Sequence, residues 1–125
     1  MLVTGQLLFG RNIFYLITEP SGAPQAVHAM AKSSTSIIVE WSPPLVSERN
    51  GIIIQYTVEY EQDPAGESKS VNTTDNSTSF VVKDLAIFTK YSFKIRAWNV
   101  VGEGPESEAV YNLSLIHISE PTRPY

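Results

Sequence analysis

The sequence predicts an all-β domain: seven short strands arranged as an antiparallel, two-sheet sandwich. Three observations carry that prediction. Between Ala23 and Asn112, apolar side chains recur at every second position, the period of a half-buried strand. Turn residues (Asn-Gly, Asp-Pro, paired prolines) return about every eight to twelve residues, and no helical period is sustained over three turns. Charged residues make up 18% and apolar residues 42% of 125 positions, a balance that can bury a core, in a chain long enough for one domain.

The elements follow in order. The first strand opens after Pro24, with Val27, Ala29 and Ala31 on one face and Ala26, His28 and Met30 on the other. In the second, Ile37, Val39 and Trp41 alternate with Ser36, Ile38 and Glu40. Pro43 and Pro44 end it, because neither donates an N–H to a sheet ladder. Asn50-Gly51 marks a turn, after which Tyr56, Val58 and Tyr60 face one way while Thr57 and Glu59 face the other. Asp63-Pro64-Ala65-Gly66 turns the chain again. Lys69 to Thr73 is polar enough for a fourth strand at a sheet edge, where charge discourages pairing with other chains. Phe80 and Val82, with Leu85, mark the fifth. Tyr91, Phe93, Ile95 and Ala97 define the sixth, against Ser92, Lys94, Arg96 and Trp98, and Ser107 to Tyr111 is the seventh. Each strand has one apolar face, so two sheets must bury these faces about 10 Å apart. The expected core is Trp41, Tyr56, Val58, Leu85, Tyr91, Phe93 and Ile95.

TSIIVEWSPP around Trp41, NGIIIQYTVEY with Tyr56 and Tyr60, Leu85, and TKYSFKIRAWN running into GEGPES stand in this order. Together, over residues 23–112, they resemble a fibronectin type III module. The resemblance implies an immunoglobulin-like sandwich in which Tyr91 is a buried tyrosine corner, its hydroxyl bonded to backbone a few residues upstream. One departure is visible. The family usually carries Pro two residues after Leu85, and this chain has Ile87, which implies a less rigid turn before Tyr91.

The two ends read differently. Residues 1–22 form a non-domain N-terminal segment and linker. MLVTGQLLFGRNIFYLIT is too short and too interrupted for a membrane span, and Arg11 sits in the middle of the apolar run rather than before it, as a signal peptide requires. It reads either as the last strand of a preceding module, running into the linker TEPSGAP, or as mistranslated upstream sequence. Residues 113–125, LSLIHISEPTRPY, resemble one translated frame of a sequencing-library adapter, so they read as an artefactual tail and the chain as a fragment.

Function is read mostly by exclusion. The net charge of −4, with cations scattered among acids, argues against nucleic acid and anionic membrane surfaces as partners. With no Cys, disulfides, thiolate catalysis and Cys-type zinc sites are excluded. His28 lies on an outward strand phase and His117 in the adapter-like tail, leaving a Ser-His triad without a base. Glu59 and Glu61 share a strand face, but a solvated face is the plainer account of two acids there. No Gly-rich phosphate loop precedes a helix and no metal-ligand cluster stands out. The expectation is therefore no enzyme, with no catalytic residue, no cofactor, no metal and no small-molecule substrate.

Four positions are candidates for contact with a protein partner: Trp98, on the outward phase, and Val100, Val101 and Glu103 in the loop NVVGEGP. An outward Trp can anchor an interface, yet covering the stems of Lys94 and Arg96 or packing on a cross-strand neighbour is the more ordinary role. Gly and Pro in that loop are accounted for by turn geometry alone, and the Arg-Gly-Asp that some fibronectin type III relatives present there is absent. Asn72-Thr73-Thr74 and Asn76-Ser77-Thr78 are acceptor sequons for N-glycosylation; Asn112-Leu113-Ser114 is set aside because Ser114 falls in the tail. The expected function is a protein-binding and spacer module, one repeat of a multidomain extracellular adhesion or receptor glycoprotein, at the cell surface. Its partners would be other proteins, first the neighbouring fibronectin type III or immunoglobulin domains, and a membrane would be reached only through other parts of the parent. An intracellular filament-associated structural module is the alternative, as is an accessory domain of a secreted enzyme.

Overall fold

A computed structural model of the chain describes residues 5–9, 12–16, 18–63 and 66–113. The turn at Pro64-Ala65 and the tail from Ser114 onward lie outside the described residues. Two antiparallel strands, β1 (Gly5–Phe9) and β2 (Asn12–Leu16), pair with each other, Gly5 opposite Leu16. They form a sheet of their own.

The domain is a sandwich of two antiparallel sheets. One sheet has the order β3 (Gln25–Ser33), β4 (Ser36–Ser42), β7 (Ser79–Val82). The other has the order β10 (Val110–Leu113), β8 (Lys90–Trp98), β5 (Gln55–Gln62), β6 (Ser68–Asn72), with β9 (Glu103–Glu106) also paired to β8. A single 3-10 turn, Val46–Glu48, follows Pro43-Pro44. The period-2 pattern decides which residues go inside. Ile37, Val39 and Trp41 from β4 meet Tyr56 and Val58 from β5 and Tyr91, Phe93, Ile95 and Ala97 from β8 in one buried cluster, which Ile53, Val82 and Leu85 complete. Trp41 packs edge-on against Tyr56 with ring centroids 5.1 Å apart, and Tyr60 stacks on Phe93 at 6.3 Å. Asn112 bridges the sheets, its Nδ2 donating to the Ala29 carbonyl at 2.9 Å.

The strand count differs from expectation: eight strands build the sandwich, not seven. The predicted last strand, Ser107–Tyr111, is interrupted and flanked by two short ones, β9 and β10. The cause is local. Ser107 leaves the strand and bonds Ile95 twice, its N–H to the Ile95 carbonyl at 2.8 Å and its Oγ accepting the Ile95 N–H at 3.0 Å. A side-chain oxygen thus takes the place of a ladder carbonyl, and the register between β8 and β9 shifts between Arg96 and Trp98. Three outward-phase residues, Ser36, Thr57 and Ser92, are also buried, contrary to the alternation. Ser36 is paired with Ser33 across the β3–β4 turn, Oγ to Oγ at 2.6 Å, and Thr57 is bonded to the Trp98 indole. The edge strand runs one residue earlier than predicted, Ser68–Asn72.

The turn lacking proline is held by side chains. The Ala86 N–H donates to the Tyr91 hydroxyl at 2.8 Å, the upstream backbone bond expected of a tyrosine corner, and Thr89 Oγ1 donates to the Ile87 carbonyl at 2.8 Å. Phe88 takes a left-handed φ of 51°, and Ile87 and Phe88 are both exposed.

Candidate interaction surface

The N-terminal pole of the sandwich is where the chain is most tightly tied together. It gathers the incoming segment Thr18–Gly22, the loop between β4 and β5, and the loop between β8 and β9. Asn99, immediately after β8 and only 2% exposed, joins all three. Its Nδ2 donates to the carbonyls of Thr18 at 2.7 Å, Arg49 at 3.0 Å and Asn50 at 3.0 Å. Its Oδ1 accepts the N–H groups of Val101 at 2.9 Å and Gly102 at 3.2 Å. An amide at this position can do so because an Asx side chain reaches backbone two and three residues ahead while its nitrogen stays free for other loops.

The incoming segment is fixed at further points. Asn50 Nδ2 donates to the Glu19 carbonyl at 2.9 Å, and the Ser21 N–H to the Glu48 carbonyl at 2.8 Å. Gly104 has no room for a side chain: a Cβ there would lie 2.7 Å from the Pro20 carbonyl oxygen. Asn50 and Gly51, with φ of 52° and 133°, supply the left-handed turn that brings the Arg49 and Asn50 carbonyls to Asn99.

The outer face of the five-stranded sheet continues from this pole as a charged network. Arg96 sits between three carboxylates, with Glu106 at 3.0 Å, Glu103 at 3.6 Å and Glu59 at 3.8 Å, and Lys94 reaches Glu106 at 3.4 Å. Trp98 lies half-buried beside it. Its Nε1–H donates to Thr57 Oγ1 at 2.7 Å, and that hydroxyl donates onward to Asn72 Oδ1 at 2.6 Å.

The structure separates the predicted contact residues. Trp98 and Glu103 are engaged within the domain, Val101 is half-buried, and Val100 projects into solvent with 76% of its surface exposed. Asn72 and Asn76 are both exposed, the first on β6 and the second in the loop after it. The seven expected core residues are all buried. His28 is exposed and hydrogen-bonded to Glu40 at 2.9 Å. Among the described residues no three His, Cys, Asp or Glu side chains come together as a metal site.

Among the described residues, two ionisable groups are perturbed. Burial pushes the Tyr56 phenol above its ordinary pKa, with the Trp41 indole and the Arg49 charge offsetting part of the effect. The Ser77 N–H, donated to Asp75 Oδ1 at 2.9 Å, holds that exposed carboxyl below its ordinary value. The bond turns the chain around Asn76.

Sequence reasoning missed Asn99 altogether, and it read Asn50 only as a turn residue and Ser107 only as a strand start, without their hydrogen-bonding roles. The readable signal for Asn99 was an Asn placed between a strand and a Gly-x-Gly loop, where an Asx turn is favoured. Its reach to Thr18 and Arg49, far away in sequence, carried no signal.

Comparison with known proteins agrees with this architecture. The fibronectin type III domain model matches residues 22–112. Receptor-type tyrosine-protein phosphatase F of Danio rerio is 39% identical over 96 residues, covering 74% of this chain and 5% of the relative. Cell adhesion molecule DSCAM of Rattus norvegicus is 35% identical over 101 residues, covering 77% of this chain and again 5% of the relative. The chain thus spans only a small part of the length of these relatives. Among solved structures, the FN5 domain of Drosophila Lar superimposes with a TM-score of 0.63 at 31% identity, covering 76% of this chain and 97% of that one. With its two sheets, its corner tyrosine and a match over most of its length, the chain belongs to the fibronectin type III family.

Proposed function

We propose that the domain is a spacer and protein-binding module of a multidomain adhesion or receptor protein, displayed outside the cell. The observation that carries this reading is the placement of its two ends. The chain comes in at one pole, where Asn99 fixes Thr18 beside β8's last residue, and β10 runs out at the other, where Leu113 lies opposite Lys90. Each pole presents exposed apolar side chains: Val100 at the first, Ile87 and Phe88 at the second. A module with head and tail at opposite poles, each offering apolar surface, suits a series in which neighbouring domains abut. The partners in this reading are those neighbours, fibronectin type III or immunoglobulin domains, and then other proteins. The named relatives, a receptor-type phosphatase and a cell adhesion molecule, support a surface location. No chemistry is assigned to the domain. Any catalytic activity belongs to other parts of the parent.

The test is antibody staining of intact and permeabilised cells that produce the parent protein. Staining of intact cells is the expected result. Signal only after permeabilisation overturns the reading in favour of a filament-associated module.

A further inference from the structure

Beside the pole just described lies a groove of about 450 Å³ with an unusual rim. Pro43, Val46, Ile52, Ile53 and Tyr56 line it together with the charged Arg49, and so does Asn76. Val46 and Ile52 are among the most exposed apolar side chains of the described residues, at 76% and 80%, and none of the hydrogen bonds or ion pairs described above involves the Asn76 side chain. Two exposed apolar side chains on one concave rim offer a seat for a small amphipathic group. Here the rim carries the acceptor of Asn76-Ser77-Thr78, and the Asp75–Ser77 turn presents that asparagine on the outside of a bend. Asn72 is differently placed. It stands within β6, and its Oδ1 is occupied by the Thr57 hydroxyl on the polar face of the sheet.

We propose that Asn76 is N-glycosylated and that the first N-acetylglucosamine lies in this groove, covering Val46 and Ile52. The attachment transfers an oligosaccharide from a polyprenyl-diphosphate donor. A bond forms between Asn76 Nδ2 and the sugar C1, the bond from C1 to the phosphate oxygen breaks, and polyprenyl diphosphate departs with the electron pair. One Nδ2 proton is released to solvent. The apolar face of the sugar and its acetyl methyl then rest on Val46 and Ile52, which folding alone leaves wet. The proposal rests on the extracellular reading for its biological setting, but its test does not.

The full chain produced behind a cleavable secretion signal in a mammalian host passes through the glycosylation machinery wherever the parent resides. Mass spectrometry should find a glycan on Asn76. Trimming with an endoglycosidase that leaves one N-acetylglucosamine should keep the thermal midpoint, and complete removal should lower it by roughly 4 °C or more, a shift ordinary for a contact of this size in a small domain. In Val46→Ser/Ile52→Ser, both sites being exposed and tolerant, complete removal should change nothing further. Thr74→Ala/Ser114→Ala, which abolishes the other two sequons without touching Asn72 or Asn112, should leave the Asn76-dependent shift intact. A secreted protein bare at Asn76 overturns the proposal, as does a midpoint indifferent to the sugar or a shift that survives the Ser substitutions. None of those outcomes bears on whether the parent is extracellular, which the cell-staining experiment decides separately.

Discussion

Asn99 shows how much one side chain can settle. Five hydrogen bonds from a single amide join three segments that strand pairing leaves separate. Replacing it by Ala strands part-buried partners on both sides, so Asn99→Ala is expected to cost roughly 1–3 kcal/mol in urea unfolding. That is a large share of the about 5–15 kcal/mol available to a domain. Tyr56 makes a second residue-level prediction, through pH. Its folded pKa lies above the ordinary phenol value of about 10. Below that value the phenol is neutral in both states and its contribution is complete. As pH climbs past it, the unfolded chain ionises first and binds fewer protons, so stability falls until the folded pKa is reached. The urea midpoint between about pH 8 and pH 11 should therefore decline more steeply in wild type than in Tyr56→Phe. The burial of Tyr56 was legible from alternation, because its phase matches Val58. The role of Asn99 was not: alternation reports which face of a strand is wet, and it is silent on what a loop amide meets.

At the level of elements, the sixth predicted strand shows why most of the fold was readable. Tyr91, Phe93, Ile95 and Ala97 fill β8's inner face without interruption, and a pleated strand allows only one reading of such a run. The final strand was misread for a related reason. Ser107 to Tyr111 alternates weakly, and the interruption there comes from Ser107 supplying a side-chain acceptor to Ile95, a substitution of partners that hydrophobic pattern does not register. Ser107→Ala removes that acceptor inside the sandwich and should lower stability by roughly 1–3 kcal/mol. Glu106→Gln, one residue away but on the exposed network around Arg96, should stay within about 1 kcal/mol. Equal losses in the two variants, measured by the same denaturant titration, would mean that the Ser107 bond is no stronger than a surface pair. The corner turn offers a parallel case. Tyr91→Phe leaves the ring in place but deprives the Ala86 N–H of the hydroxyl, for an expected loss of about 1–3 kcal/mol.

For the molecule as a whole, the relevant boundary lies before the first strand of the sandwich. The incoming residues read as a linker because TEPSGAP has a linker's composition, yet Thr18 to Gly22 are bonded into the N-terminal pole as firmly as many loops within it. Polar and proline-rich residues are what a docked backbone needs as much as what a free one tolerates, so composition alone does not separate the cases. A chain starting at Thr18 should match the full chain in thermal midpoint. One starting at Ala23 should melt lower by roughly 4 °C or more, having lost the partners of Asn99, Asn50 and Glu48. The same attachment has a mechanical side. If tension is applied along a series of such modules, it reaches Thr18 to Gly22 before it reaches β3. These five residues are held by side-chain and loop bonds rather than by a strand ladder, so they can peel away while both sheets stay shut. Fully extended, they span at most roughly 17 Å, and the slack released is that length less the distance they already cover when docked. Each module would then carry a small reversible slack at its leading end, able to absorb a pull that would otherwise be borne by the core.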